Sequence, residues 1–392
     1  MSRAISPRTT VAVVMVCHFI AAFAALGMPP FFTLILEKSL HADARFLAGW
    51  LYVVPTLFVA LSSPWWGRIA DRYGKKLLLV RAQLGLAGSF LLAGFAPNVT
   101  VFVLALALQG VLGGTFAASN AYLAGVVSGP TLTRSLTAMQ GSARAALVAA
   151  PICLGVWLGV DSPIELYRYL AALPLIAAAL IWALPDTAAT ASGAQVQASS
   201  GAAGAATPQL IYALQFLFVF ATVLTFPYFV AYAQARFPQL SGMWLGVLFG
   251  LPHLAYLMTA APLAAWLVTR PAMRTLGVAF AALMISLAAQ TQVSSLGGLV
   301  AWRLMMGLAM TAGFIALHAL IAGVARAGTA GRLFGRFESS SKWGAVCAGL
   351  CAGWAAELAG SSAPFVVGAA VMALALAYLV VSAATRAPVT EP

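Results

Sequence analysis

Apolar runs of about twenty residues or more recur along nearly the whole chain, separated by short segments that hold most of its charges. A run of that length crosses the ~30 Å hydrocarbon core of a bilayer as an α-helix. Six spans are read at about 10–36, 46–66, 77–96, 99–127, 134–159 and 166–184, and six more at 208–233, 242–268, 273–291, 296–325, 332–357 and 362–384. The runs are continuous and rich in Leu and Ala, without the alternation of a membrane β-strand. Only 8% of the residues are charged, against 62% hydrophobic. That is too little charge to cover a water-facing surface. The expected fold is an all-α membrane protein with twelve transmembrane helices.

The formal charge of +12 does not indicate a nucleic-acid partner, because the cations lie between apolar runs rather than in a soluble domain. Positive charge of this kind keeps loops in the cytoplasm. With the N-terminus inside, inner loops hold Arg3, Arg8, Arg68, Arg72, Lys75, Lys76, Arg134, Arg270 and Arg274, among others. Outer loops hold only Lys38, Arg45, Arg168 and Arg236. Both termini are therefore expected in the cytoplasm, with the chain in a bacterial inner membrane. The first run, Val11 to Leu36, exceeds the apolar core of a signal peptide and reads as a retained span. The four cysteines fall inside apolar runs without zinc spacing, and no metal or cofactor is expected.

The stretch from 186 to 207 is small and polar, and reads as a flexible cytoplasmic linker. On either side the chain repeats itself. A shift of 198 positions carries Pro29 onto Pro227, Ala124-Gly125-Val126 onto Ala322-Gly323-Val324, Arg134 onto Arg332 and Arg144 onto Lys342. Two pseudo-symmetric six-helix bundles follow, residues 1–184 and 208–392, joined by the linker 185–207. Duplicated halves of this kind are a transporter signature, with substrate held between the halves near the bilayer midplane.

Between spans two and three stands Gly67-Arg68-Ile69-Ala70-Asp71-Arg72-Tyr73-Gly74-Lys75-Lys76. Glycines suit close packing and a tight turn, and an aspartate suits the N-terminus of a neighbouring helix. In residue type and in place, this segment resembles the signature loop of the major facilitator superfamily. The resemblance extends over the chain through the six-plus-six layout. It implies that Gly67, Arg68, Asp71, Arg72, Gly74, Lys75 and Lys76 form a latch, with Asp71 against the start of span eleven in the outward-facing state. It also implies alternating access and no resident cofactor. The second-half copy, Thr269 to Arg274, keeps cations but no acid. Span five carries Ala146, Ala150, Pro151 and Gly155, similar to a glycine-rich motif of the family's drug–proton antiporters. The family's span-four arginine is missing, whereas span ten has Arg303 four residues before Gly307.

Ionisable groups inside a membrane are costly and suggest function. Arg144 and Lys342 fall near mid-membrane in spans five and eleven, and Arg303 lies nearer the outer side of span ten. Glu338 is the inner acid. Gln109, Asn120 and His253 are candidate polar contacts, and His18 and His318 are further titratable groups. Arg81, close to the inner end of span three, is explained by snorkelling. Pro29, Pro151 and Pro227 are expected to bend their helices. No phosphate-binding loop and no nucleophile triad is present, so an enzyme is not expected.

The chain then reads as a monomeric secondary active transporter. It would export a small polar or anionic molecule, siderophore or drug-like, with protons as the coupling ion. A proton-coupled importer of a sugar or organic anion remains open, as does a membrane sensor or enzyme.

Overall fold

The computed structural model describes residues 6–159, 162–186, 207–324 and 330–384. The linker expected at 185–207 lies outside them except for Pro185, Asp186 and Thr207. The described elements are helical. They are α1 (Pro7–Gly27), α2 (Phe32–Lys38), α3 (Phe46–Tyr73), α4 (Lys75–Gly94), α5 (Val99–Leu112), α6 (Thr115–Val126), α7 (Gly129–Gly155), α8 (Leu166–Leu170) and α9 (Ala172–Trp182). After the linker come α10 (Pro208–Val223), α11 (Phe229–Arg236), α12 (Gly242–Leu267), α13 (Ala272–Gln290), α14 (Leu296–Val324), α15 (Ala330–Ala359) and α16 (Ala363–Ala384).

Among the described residues, nine segments are long and apolar enough to cross a membrane. Helices α7 and α15, of 27 and 30 residues, have the length but less apolarity. The seventh span is the interrupted pair α10–α11. Large apolar side chains such as Leu61, Met258, Val268, Val278, Leu358 and Leu374 stand exposed. A hydrocarbon solvent accepts such a surface and water does not.

Among the described residues, proline or glycine breaks fall in the first, seventh and fourth spans. The first breaks at Met28-Pro29-Pro30, where a 3-10 turn over Pro29–Phe31 separates α1 from α2. The seventh breaks in the turn that contains Pro227. Proline lacks an N–H and clashes with the preceding helical turn. The breaks obey the repeat: a shift of 198 carries Gly27 and Phe32 to Thr225 and Val230, within two residues of the observed edges Val223 and Phe229. Each of these spans also starts alike, with Pro7 behind the Ser6 cap and Pro208 behind the Thr207 cap. Pro at the first helical position loses no hydrogen bond. The fourth span breaks at Gly113-Gly114, where Gly114 has φ 79°. Pro151, in contrast, sits inside an uninterrupted α7.

The chain forms two compact units. One is Met1–Ala194 with Ala233–Gly250, and the other is Gln195–Tyr232 with Leu251–Pro392. In the first, α1, α4, α6, α7 and α9 share a core of Val14, Cys17, Leu79, Tyr122, Met139 and Ile181. Tyr122 also donates to Pro185 O at 2.7 Å, which pins the end of span six. In the second, α10 packs on α15, and α13 on α14 and α16. Phe218 stacks on Phe280 at 5.8 Å and meets Phe314 edge-on at 5.0 Å. A buried amide ties α10 to α15, where Gln215 donates to Ser341 Oγ at 2.6 Å and to Phe337 O at 3.2 Å.

Candidate functional site

The signature segment is less of a loop than its glycines suggest. Nothing from Gly67 to Tyr73 breaks a helix, and α3 runs on through them. The whole reversal into α4 falls on Gly74, which takes φ 97° and ψ 149°. Essentially only glycine occupies that region, and other residues there cost about 1–3 kcal/mol. Nothing lies within 4 Å of where a Gly74 Cβ would be. Gly74→Ala is therefore expected to lower thermal stability by backbone strain alone, read as the unfolding midpoint in detergent. An unchanged midpoint contradicts this.

On the continued helix, Arg68 and Arg72 share an exposed face. The Arg72 guanidinium lies 5.3 Å from the Tyr73 ring. Lys76 reaches Asp186 Oδ1 at 3.4 Å and stands over the Trp182 ring at 5.7 Å. That links the start of span three to the end of span six. With Asp186 90% exposed, the pair contributes ~0–1 kcal/mol. The surroundings of Gly67 and the side chains of Asp71 and Glu338 lie outside the described part of the structure. The expected contact of Asp71 falls there too.

The intramembrane cations differ in setting. Arg144 is half-buried on α7 in the first unit, close enough to Tyr52 of α3 to act electrostatically on its hydroxyl. Lys342, its repeat counterpart, is exposed on α15 in the second unit. Arg303 is buried within that unit, with its guanidinium 3.9 Å from the Phe229 ring and Nη1 3.6 Å from Met306 Sδ. A desolvated cation over a ring face gains ~2 kcal/mol, which offsets part of the cost of burying Arg303. Arg81 does not snorkel away, as its position suggested. Its Nη1 donates to Leu112 O at 2.7 Å and its guanidinium stacks 3.5 Å over Trp66. The carbonyl freed by the break in span four is the better partner.

Gln109 is half-buried in the last turns of α5. Asn120 has an enclosed Oδ1 with no donor among the described residues. His253 is buried on α12 with its ring 5.5 Å from Phe226, edge to face. His18 is buried on α1, 5.2 Å from Phe116, and neither ring nitrogen has a hydrogen-bond partner among the described residues. Unpaired enclosed polar atoms mark places where a solute or water can complete the hydrogen bonding. On α6 and α1, Asn120 and His18 are such places in the first unit.

One feature escaped the sequence reading. Gly242, Gly246 and Gly250 repeat every four residues, on one face at the start of α12. A Cβ on Gly246 would run into the Pro151 carbonyl, and one on Gly155 into the Gly242 carbonyl. A Cβ on Gly250 would stand 3.2 Å from Val148 Cα. Helices α7 and α12 thus touch backbone to backbone, which groups Ala233–Gly250 with the first unit. On its other side α7 receives α1, where a Gly27 Cβ would lie 2.7 Å from Ala150 Cβ. Small residues permit such approach where lipid removes the hydrophobic drive between helices. The spacing of the three glycines was the available signal.

A family model described as Major Facilitator Superfamily matches residues 14–289. The chain is 38% identical over 110 residues to the multidrug resistance protein MdtG of Citrobacter koseri, and 40% identical over 111 residues to that of Dickeya zeae. Each alignment covers 28% of this chain and 27% of the relative, so the chain spans about a quarter of the length of the curated relatives it matches. Its fold is similar to that of the nucleoside transporter NupG, with TM-score 0.79, 12% identity, and 95% and 99% of the two chains covered. It is also similar to the human organic anion transporter MFSD10, with TM-score 0.64, 16% identity, and 96% and 100% covered.

Proposed function

Because this chain belongs to the Major Facilitator Superfamily, a family of transporters and not of enzymes, we propose that it is a secondary active exporter of small drug-like or siderophore-like solutes. The solute is polar or anionic, and proton antiport drives it out across a bacterial inner membrane. Export is supported by the stretch of similarity to multidrug resistance proteins. The excess of Lys and Arg in alternate loops supports placing both termini in the cytoplasm, and the bacterial relatives support an inner membrane.

The observation that carries the solute class is the repeat-related pair α7 and α15. Each is long enough to span, less apolar than its neighbours, and charged near its middle by Arg144 or Lys342. A cation at that depth facing lipid costs about 2.5–3.5 kcal/mol. An anion or a strong hydrogen-bond acceptor lowers that cost, and Arg grips it with two parallel bonds. The first and seventh helices break at repeat-related positions, as the discontinuous helices around transporter sites do. Asp71 acts as the latch and the two halves move as bodies joined by the linker 185–207. The chain works as a monomer.

The test is solute accumulation in cells stripped of their own efflux pumps. Expression of this chain is expected to lower the steady-state content of an anionic fluorescent drug or a hydroxamate chelator. A rise instead would favour an importer, a direction the shared fold with a nucleoside transporter leaves open.

A further inference from the structure

The break in span four opens a cavity of about 280 Å³ inside the first unit. Its polar lining comes from Ser62, Ser63 and Trp66 on α3, Lys75 and Arg81 on α4, and Gly114 at the start of α6. Among the described lining residues there is no carboxylate. The cavity is roughly nine times a water molecule's share of liquid volume. It is therefore roomy enough for a headgroup-sized solute rather than a lone ion.

A helix break strands carbonyls on one side and N–H groups on the other. Here the two sides are treated differently. The carbonyl side is satisfied by protein: Trp66 Nε1 donates to Val111 O at 2.6 Å, Arg81 Nη1 to Leu112 O at 2.7 Å, and Gly113 N to Gln109 O at 2.9 Å. On the donor side no side chain caps α6 at Gly114. Irregular backbone at membrane depth persists only against protein or a polar cavity. The same cavity wall carries two cations. Lys75 has no ion pair among the described residues. Arg81 is held rigid between Leu112 O and the Trp66 ring. Ser62 and Ser63 donate to Val59 O, one turn back, and keep lone pairs and rotational freedom.

From the cations, the uncapped N–H groups and the room between them, we infer that this cavity binds a phosphate-type oxyanion. Arg81 and Lys75 supply the charge, and the start of α6 supplies backbone donors. Lys75 opens α4 at the cytoplasmic end, and Arg81 lies six residues further on, about 9 Å deeper. With the loops oriented as proposed above, that stretch runs from the headgroup zone of the inner leaflet into the edge of the hydrocarbon core. The phosphate therefore comes from an anionic lipid or from a free oxyanion in the cytoplasm. The inference does not depend on what is transported or in which direction.

The test uses the full chain, purified in a neutral detergent and stripped of lipid. Its unfolding midpoint is measured with phosphatidylglycerol, with phosphatidylcholine, and with inorganic phosphate against chloride at equal ionic strength. Three variants run alongside: Arg81→Gln, Lys75→Gln, and Arg270→Gln as a loop cation outside the cavity. Arg81 also caps Leu112, so its variant can fail to fold. Lys75 makes no such contact, and its variant keeps the test open. Phosphatidylglycerol is expected to raise the wild-type midpoint more than phosphatidylcholine does. Lys75→Gln is expected to weaken the apparent affinity about fivefold, with Arg270→Gln unchanged. The same pattern with inorganic phosphate alone identifies a free oxyanion as the source. No stabilisation by either ligand, or equal stabilisation of wild type and Lys75→Gln, overturns the inference.

Discussion

Gly246→Leu is expected to abolish transport and to lower the unfolding midpoint steeply. The position leaves no room: a Cβ there meets the carbonyl of Pro151 and lies 2.8 Å from Ile152 N. Both are backbone atoms, which cannot swing aside as a side chain end can. Overpacking a well-fitted contact costs about 1–3 kcal/mol when side chains yield, and here the helices themselves must part. Two further backbone contacts, Gly155 on Gly242 and Gly250 on Val148, lie on the same seam and would open with it. Gly246→Ala is expected to show the same defect in smaller measure. Gly88→Ala is the control, because nothing stands within 4 Å of its Cβ. In mid-helix that change is neutral or stabilising by about 0.5–1 kcal/mol. Wild-type stability and transport in Gly246→Leu would show that α7 and α12 do not pack as described.

Arg144→Ala is expected to reduce transport by about tenfold to a hundredfold in protein that is folded and inserted. That is the worth of a charged hydrogen-bonding group lost from a desolvated site. The side chain is half-buried, halfway along one of the two least apolar spanning helices, and within electrostatic range of Tyr52. Partial activity in Arg144→Lys would assign the role to charge, and none would assign it to the planar two-pronged geometry. Tyr52→Phe separates substrate contact from internal support. If Arg144 only braces α3 through Tyr52, that variant reproduces the loss in Arg144→Ala. Full transport in both Arg144 variants removes the residue from the site.

The spanning helices could be read from the sequence because lipid imposes one requirement, a long apolar run, that local composition reveals. The paired proline breaks were equally legible. Pro29 and Pro227 share a register, and each falls in the break of its span. What escaped were features set by a neighbouring helix. The fate of Arg81 depends on a carbonyl of α5 freed by Gly113-Gly114. That glycine pair is itself a turn signal inside an apolar run. Arg303 shows as a membrane cation in sequence, but Phe229 lies 74 positions away. The glycines at 242, 246 and 250 were visible, yet their partner α7 was not. Gly74 was marked as a turn, whereas the run of helix up to Tyr73 needed only the absence of a breaker.

The central claim is that an outward flow of solute is driven by an inward flow of protons, without ATP. It is tested most directly in liposomes containing the purified chain and no nucleotide, with the solute found in the cell assay added outside. An acidic lumen is expected to drive solute accumulation, because protons leave as solute enters, whichever way the protein is inserted. A protonophore is expected to abolish it. Accumulation that instead requires an alkaline lumen would show protons and solute moving together, and accumulation that requires ATP would contradict secondary transport altogether.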